Sequence, residues 1–338
     1  MDHKRLLSLL NDIEDVHIGV VGDACLDVYW HADMKQSELS RETPHFPLPV
    51  VEEWHFLGAG GNVAANVSGL GCKHVDILTV IGHDWRAYEL HRILLEMKIA
   101  SSFVIEGKNR VTPAYCKPLR HGISEVVYED PRIDFVNHSA LPKDVEENVL
   151  SALERLSHQA DGLLISDQFC NGVITTQVRE AINEIALSQK VFVDSRNHIG
   201  MFKSAIVKPN ELELFAAVGQ ELDRRPEAVL RAAQLLSRQI QQSVCVTLGE
   251  KGCMWVDSVG HKEYPAVPVF QPIDIVGAGD AFMAAFATAL TVGANQDEAV
   301  ALGSLAASIN IQKIGMAGII SVQELIQQKE KLDLFQTG

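Results

Sequence analysis

No Cys-x-x-Cys pair occurs in this sequence of 338 residues. Its six cysteines, Cys25, Cys72, Cys116, Cys170, Cys245 and Cys253, are scattered and stand mostly among apolar residues. They read as small buried hydrophobes in a reducing compartment, not as a disulfide or zinc framework. The thirteen histidines include no His-Glu-x-x-His arrangement, which argues against a catalytic zinc site. There is no Gly-x-x-x-x-Gly-Lys-Ser/Thr run, so the chain is not a P-loop enzyme. Cations are scarce, with 29 Lys+Arg against 44 Asp+Glu and a formal net charge of -15. With no basic run or basic-aromatic stripe, nonspecific binding of nucleic acid or of an anionic membrane is not expected, and only a local basic pocket stays open. The apolar stretch after Asp280 is too short to span a bilayer and reads as a buried helix. Met1 to Val16 is charged and amphipathic, unlike a signal peptide, so the expected location is cytoplasmic.

What is present suits a large core, since 47% of the residues are hydrophobic and 22% charged. Apolar, β-rich runs at His17–Gly22, Val75–Ile81, Gly162–Ser166, Val191–Asp194, Ala205–Lys208 and Val244–Leu248 read as buried strands. Helical patterns lie near Asn62–Leu70, Trp85–Met97, Lys143–His158, Ile174–Ser188, Arg225–Arg238, Ala281–Leu290 and Gln296–Gln312. This alternation predicts an α/β fold, a three-layer αβα core in which helices cover both faces of a mostly parallel sheet. Two segments break the rhythm, about 28–56 and 102–134, with strand-like pieces at Leu48–Val51 and Thr112–Leu119 and no helix between. They predict a small antiparallel β-lid, whose open strand edges invite a homodimer through the lid. Nothing resembles an interdomain linker, so residues 1–338 are read as a single domain, with the tail from Lys329 loosely packed or poorly ordered.

Polar residues gather where strands end, the edge at which open α/β sheets bind ligands. Asp23 and Asp27 follow the first strand, Ser166-Asp167 the third, Asp194-Ser-Arg196 the fourth, Lys208-Pro-Asn210 the fifth and Thr247-Leu-Gly249 the sixth. The sharpest motif is Asp274-Ile-Val-Gly-Ala-Gly-Asp280, a glycine turn that opens an apolar helix. The first turn of a helix offers unpaired N–H groups and partial positive charge, which suit an anion such as phosphate. An Asp in that turn makes sense as a base toward a hydroxyl that attacks the phosphate, or as no more than a helix N-terminal residue. Gly58-Ala-Gly-Gly61-Asn62-Val-Ala-Ala-Asn66 is a second glycine turn into a helix, fit to pack over a polyol or simply capped by Asn62. The dinucleotide spacing Gly-x-Gly-x-x-Gly is absent there. Asp23 and Asp27 suit sugar hydroxyls or turn capping. Asn210-Glu-Leu-Glu213 could anchor a hydrated magnesium ion or be a capped helix start.

Gly60-Gly-Asn-Val-Ala-Ala-Asn66, Lys208-Pro-Asn210 with Glu213, Thr247-Leu-Gly249-Glu-Lys-Gly252 and Asp274 to Asp280 occur in the order of the ribokinase-like (PfkB) carbohydrate kinases, and the chain resembles that family from about Val16 to Leu325. The resemblance implies ATP and Mg2+, with Asp280 as general base and the backbone of Gly277, Ala278 and Gly279 as the anion hole. It implies that Asn210 and Glu213 organise the metal and phosphates. Thr247, Gly249, Gly252 and the segment around Asn310 would line the nucleotide. Asp27, Gly60, Gly61, Asn62 and Asn66 would hold the sugar. Within the family, Gly22-Asp-Ala-Cys-Leu-Asp27-Val-Tyr-Trp30, Ser40-Arg41-Glu-Thr-Pro44, Ser166-Asp167 and Ile314-Gly315 most resemble members that phosphorylate heptose 7-phosphate at its anomeric hydroxyl.

Three departures stand out. Ile275 and Val276 replace a pair that usually includes a small polar residue, beside a loop where potassium (K+) often binds through carbonyls. The loop from His31 to Pro49 is longer than in heptose kinases, and Arg120-His-Gly-Ile-Ser-Glu125 is less basic. A phosphorylated acceptor needs cations, for which Arg41, Lys117, Arg120 and Arg196 are candidates unless they are solvated surface charges. The rival readings are a kinase of an unphosphorylated sugar or nucleoside, and a noncatalytic sugar- or nucleotide-binding regulator.

Overall fold

The structure, a computed structural model, describes residues 1–122, 126–269, 272–315 and 318–337. Residues 123–125 of the segment 120–125, and Gly338 of the tail, lie outside the described residues. The chain opens with α1 (His3–Glu14) and β1 (His17–Gly22), and leaves the main sheet through β2 (Ala24–Asp33) and β3 (Val50–Ala59). It returns by α2 (Gly60–Gly69), β4 (His74–Ile81), α3 (Trp85–Glu96) and β5 (Val104–Glu106), then goes out again as β6 (Ala114–His121), β7 (Val127–Glu129) and β8 (Ile133–Phe135). Alternation follows through α4 (Lys143–Gln159), β9 (Gly162–Asp167), α5 (Thr176–Ile185), β10 (Lys190–Ser195), β11 (Ile206–Val207), α6 (Glu211–Ala217), α7 (Pro226–Ile240) and β12 (Val244–Thr247). A hairpin of β13 (Cys253–Val256) and β14 (His261–Tyr264) precedes α8 (Ala278–Thr291), α9 (Gln296–Asn310) and α10 (Val322–Thr337).

The main sheet has nine strands in the order β14-β13-β12-β11-β10-β9-β1-β4-β5, parallel except at the β12-β13-β14 edge. Strands β1, β4, β9 and β10 are buried almost throughout, as a parallel sheet covered on both faces requires. On one face Ile18, Val20, Phe192, Phe282 and Phe286 pack among α2, α8 and α9. On the other, Leu163, Val193, Leu153, Val178 and Leu236 pack among α4, α5 and α7. No helix among the described residues is long and apolar enough to cross a membrane.

Several expectations need correction. Val104–Glu106 is not lid but the far edge strand of the main sheet, paired with β4. The lid, in the order β3-β2-β6-β7 with β8 also on β6, is not wholly antiparallel. Its central pair, β2 with β6, runs parallel, because a long crossover through α2, β4, α3 and β5 separates the two strands. The tail from Lys329 is not without structure but continues α10 to Thr337, with Leu332 packed against the core and Leu334 exposed. The segment read as charged and amphipathic is so: α1, His3–Glu14, buries Leu6, Leu9, Leu10 and Ile13 on one side. Helix α8 begins at Ala278, one turn earlier than the apolar run implies, since the glycine turn itself becomes the first turn.

The joint between core and lid is held by Asp23, not by a sugar. Its buried carboxylate accepts hydrogen bonds from the N–H groups of Gln168, Phe169 and Val173 at 2.9, 2.8 and 2.7 Å. Burial nonetheless pushes its pKa up to about 6. Asp23→Ala would strand three donors, so we expect a loss of about 3 kcal/mol or more in denaturant unfolding. A stability within experimental error of the parent would refute this role.

Candidate active site

The ends of β1, β9, β10 and β11 and the start of α8 face one another. Gly277 adopts φ +80° at the N-cap of α8, and a Cβ there would stand 3.0 Å from Asn62 Nδ2 and 3.2 Å from Asn310 Nδ2. Only glycine combines that backbone with that space. At Gly279 a Cβ would meet only Lys208 Nζ, at 3.7 Å, so packing does not demand a glycine there. The glycine instead leaves the helix's first turn open to a ligand, as an anion site needs. Ala278 N–H turns back to Ile275 O at 3.3 Å, so the freest donors of the proposed hole lie at Gly279 and Asp280. Asp274 accepts from the N–H groups of Val276 and Gly315, both at 3.0 Å, and ties this loop to the end of α9.

Asp280 sits in the first turn of α8 and accepts from Asn62 Nδ2 at 2.8 Å. Asn66 Nδ2 in turn donates to Asn62 Oδ1 at 3.1 Å and to Asn62 O at 2.9 Å, which orients the Asn62 amide. Burial, and then the charges of Asp194 and Asp27, push Asp280 up to about 7 against the pull of Asn62 and Lys208. Lys208 Nζ is buried 3.0 Å from Asp194 Oδ2. Burial works against its charge, but Asp194 and Glu213 overcome it and hold its pKa above the usual lysine value. Burial and Asp194 raise Glu213 to about 7. Lys208 thus feels the charges of Asp194, Glu213 and Asp280 together, while the described residues hold no group of three or more His, Cys, Asp or Glu set to bind a metal ion.

The structure sorts the expected residues unevenly. Asp27 lies toward Asp280, 3.6 Å from Lys117, and Gly58 makes room for it, since a Cβ there would fall 3.0 Å from Asp27 Oδ2. Asn62 belongs to the site through Asp280. Asn66 is fully buried, with Oδ1 taken by Ile320 N–H, so it supports Asn62 rather than reaching a ligand. Gly60 and Gly61 are buried, and Gly60 is required by Asp23 O, which a Cβ would approach to 2.7 Å. Asn210 and Glu213 form a reciprocal capping box on α6, both bonds at 2.9 Å, which still leaves Glu213 Oε1 without a protein partner among the described residues.

Thr247, Gly249, Gly252 and Asn210 do come together, along a cleft of about 940 Å³ that reaches Ala278 and Gly279. Asn310 does not line it. Its side chain is fully buried, donates to Gly318 O at 2.6 Å and leaves Oδ1 unpaired, while Ala307, Ser308 and Ile311 on its helix face the cleft. Arg41 is exposed in the β2–β3 loop, away from any described partner. Lys117 is engaged by Asp27 and donates to Tyr29 Oη at 2.8 Å. Arg120 pairs with Asp130 at 2.7 Å. Arg196 is exposed at the end of β10, where its charge is felt by Glu213 and Tyr115. The sequence places Asp194 and Lys208 only by their positions at strand ends, with no role of their own, and it is their pairing across β10 and β11 that brings them into the site.

A family model described as pfkB family carbohydrate kinase matches residues 26–322. The chain is 27% identical over 328 residues to the bifunctional protein HldE of Hyphomonas neptunium, an alignment that covers 95% of this chain and 65% of that protein. It thus spans less than two thirds of that relative's length. Its fold matches Arabidopsis thaliana ribokinase complexed with ribose and ATP, with a TM-score of 0.70, 20% identity and coverage of 94% of this chain and 99% of the other. It also matches Escherichia coli phosphofructokinase-2 in complex with fructose-6-phosphate, with a TM-score of 0.71, 21% identity and coverage of 94% and 99%.

The raised acid predicts its own stability signature. Asp280 is protonated in the folded chain up to about pH 7 but ionises near 3.8 when unfolded, so wild-type stability falls as pH rises between those values. Asp280→Asn should then melt higher than wild type, with a gain that develops across that window and is complete above pH 7. A gain of equal size at pH 3.5 and pH 8 would show that burial of the charge is not its origin.

Proposed function

The chain belongs to the pfkB family of carbohydrate kinases, and we propose that it transfers the γ-phosphoryl group of ATP to a hydroxyl of a sugar phosphate. The acceptor best suited is heptose 7-phosphate, phosphorylated at its anomeric hydroxyl. One observation carries the catalytic half: a carboxylate with a pKa near 7 stands in the open first turn of α8, beside the free N–H of Gly279. A base with that pKa is half ionised near neutral pH and can take a proton from an attacking hydroxyl. The same N–H groups face the phosphoryl group on which charge collects.

Roles follow from position. Asp280 removes the hydroxyl proton, and Asn62 keeps the carboxylate aimed. Gly277, Ala278 and Gly279 supply the backbone of the anion hole, with Lys208 beneath Gly279 adding positive charge. Asp27 holds acceptor hydroxyls. Thr247, Gly249, Gly252 and Asn210 line the nucleotide cleft, and Asn210 with Glu213 would organise a hydrated Mg2+ and the phosphates. When bound, Mg2+ neutralises phosphate charge and orients the chain of phosphates. K+ beside the 274–277 loop belongs to the same reading, since Asp274 fixes that loop against Gly315. So does a homodimer through the lid, where Val50 and Val51 of β3 are exposed. Support for the acceptor comes from the heptose-kinase resemblance around Asp27 and Arg41 and from Arg196, exposed at the end of β10 and without an ion-pair partner among the described residues.

The test is ADP release with ATP and Mg2+ on paired acceptors: heptose 7-phosphate and heptose, fructose 6-phosphate and fructose, ribose 5-phosphate and ribose, with adenosine alongside. A higher kcat/KM on a phosphorylated sugar than on its free partner is expected. Turnover confined to free sugars or adenosine would retain the kinase and discard the acceptor. Asp280→Asn should lower kcat by at least about a hundredfold, and wild-type kcat/KM should rise with pH through about 7. Gly279→Ala should leave the melting temperature equal or higher, because alanine favours a helix, while it depresses kcat/KM for ATP. Undiminished turnover in Asp280→Asn would sink the mechanism.

A further inference from the structure

One cation near the acceptor side was marked by no motif. Tyr115 on β6 stands opposite Asp27 on β2, and Asp134 on β8 stands opposite Tyr115 on its other flank. With Phe56 on β3, the row Phe56, Asp27, Tyr115, Asp134 crosses one face of the lid. Asp27 in this row lies against Gly58, just before the first turn of α2, from which Asn62 donates to Asp280. The guanidinium of Arg132 lies over the Tyr115 ring, 4.0 Å from its centre, and is gripped by both oxygens of Asp134 at 2.6 and 2.8 Å.

Tyr115 also meets Phe169 edge to face, ring centres 6.1 Å apart. Phe169 belongs to the loop after β9 that Asp23 anchors, so this contact is the seam between lid and core. Arg132 occupies the lid side of the seam. Arg196, at the end of β10, occupies the core side, and its charge too reaches Tyr115. The other cations considered lie away from this seam: Lys117 is buried between Asp27 and Tyr29, Arg120 pairs with Asp130 toward β7, and Arg41 stands in an exposed loop.

We propose that Arg132 and Arg196 close on the acceptor's own phosphate from the two sides of this seam, and that Arg132 is a specificity-determining residue. A guanidinium presents two parallel donors that match carboxylate and phosphate alike, so Asp134 holds in advance the geometry that a phosphate dianion takes over. Tyr115 fixes the plane of the guanidinium by stacking. Arg132 is about half exposed, its side chain 45% accessible, so a substrate can reach it. The proposal rests on the reading of the acceptor as a sugar phosphate.

The experiment compares wild type, Arg132→Ala, Arg132→Lys and Arg196→Ala on each phosphorylated sugar and its unphosphorylated partner, with KM for ATP and melting temperature measured alongside. For Arg132→Ala the ratio of kcat/KM on the phosphorylated sugar to that on the free sugar should fall on the order of ten- to a hundredfold, mostly through KM. Lysine should restore part of it, and Arg196→Ala should lower the same ratio. A ratio equal to wild type in Arg132→Ala, or an equal loss on both partners, overturns this clamp and leaves the phosphorylated acceptor standing. A wild type that turns over none of the phosphorylated sugars overturns both.

Discussion

The hydrogen bond from Asn62 to Asp280 is the point on which the site depends. It joins the first turn of α2 to the first turn of α8, two helices that pack on the same face of the sheet. Gly277 must be glycine because Asn62 and Asn310 press against it, and Asp23 O requires glycine at Gly60. Asn66 fixes the Asn62 amide from behind and is itself fixed by Ile320 N–H from the chain's last quarter. Segments more than 200 residues apart thus set the direction of one carboxylate. Rotamers held by packing and a second hydrogen bond give the preorganisation that phosphoryl transfer relies on.

Electrostatics at this point are deliberately unbalanced. Asp280, Asp194 and Glu213 crowd a poorly hydrated pocket with Lys208 as the sole buried ammonium among them. Such crowding costs stability in the empty protein and raises carboxylate pKa values. On the proposed function a bound cation would relieve it, which would tie the charge state of the site to occupancy. The same crowding keeps Asp280 near neutrality, where a base is most useful.

The lid brings a different constraint. Its central parallel pair places Asp27 and Tyr115 side by side, so that the residue proposed to hold the acceptor and the lid–core seam share one row of side chains. Lys117, with Asp27 on one side and Tyr29 on the other, serves to position Asp27.

Much of this was legible in the chain. Alternating buried strands and amphipathic helices determined the αβα core, because a parallel sheet covered on both faces needs continuous apolar strands. The glycine turn before an apolar helix determined where an anion and Asp280 would meet, because helix ends leave N–H groups unpaired whatever surrounds them. Side-chain partnership across the fold was not legible. Asn66 and Asn310 share a motif or helix with ligand-facing residues, yet tertiary packing buries both, and Gly60 answers to Asp23 O rather than to a ligand. Asp194 and Lys208 acquire significance only because β10 and β11 are neighbours in the sheet. Arg132 sits in an undistinguished stretch, and only the pairing of β8 with β6 lays it over Tyr115. Local pattern decides which backbone groups are left unpaired and which faces are buried, whereas the distance between two charges far apart in sequence is decided by strand order alone.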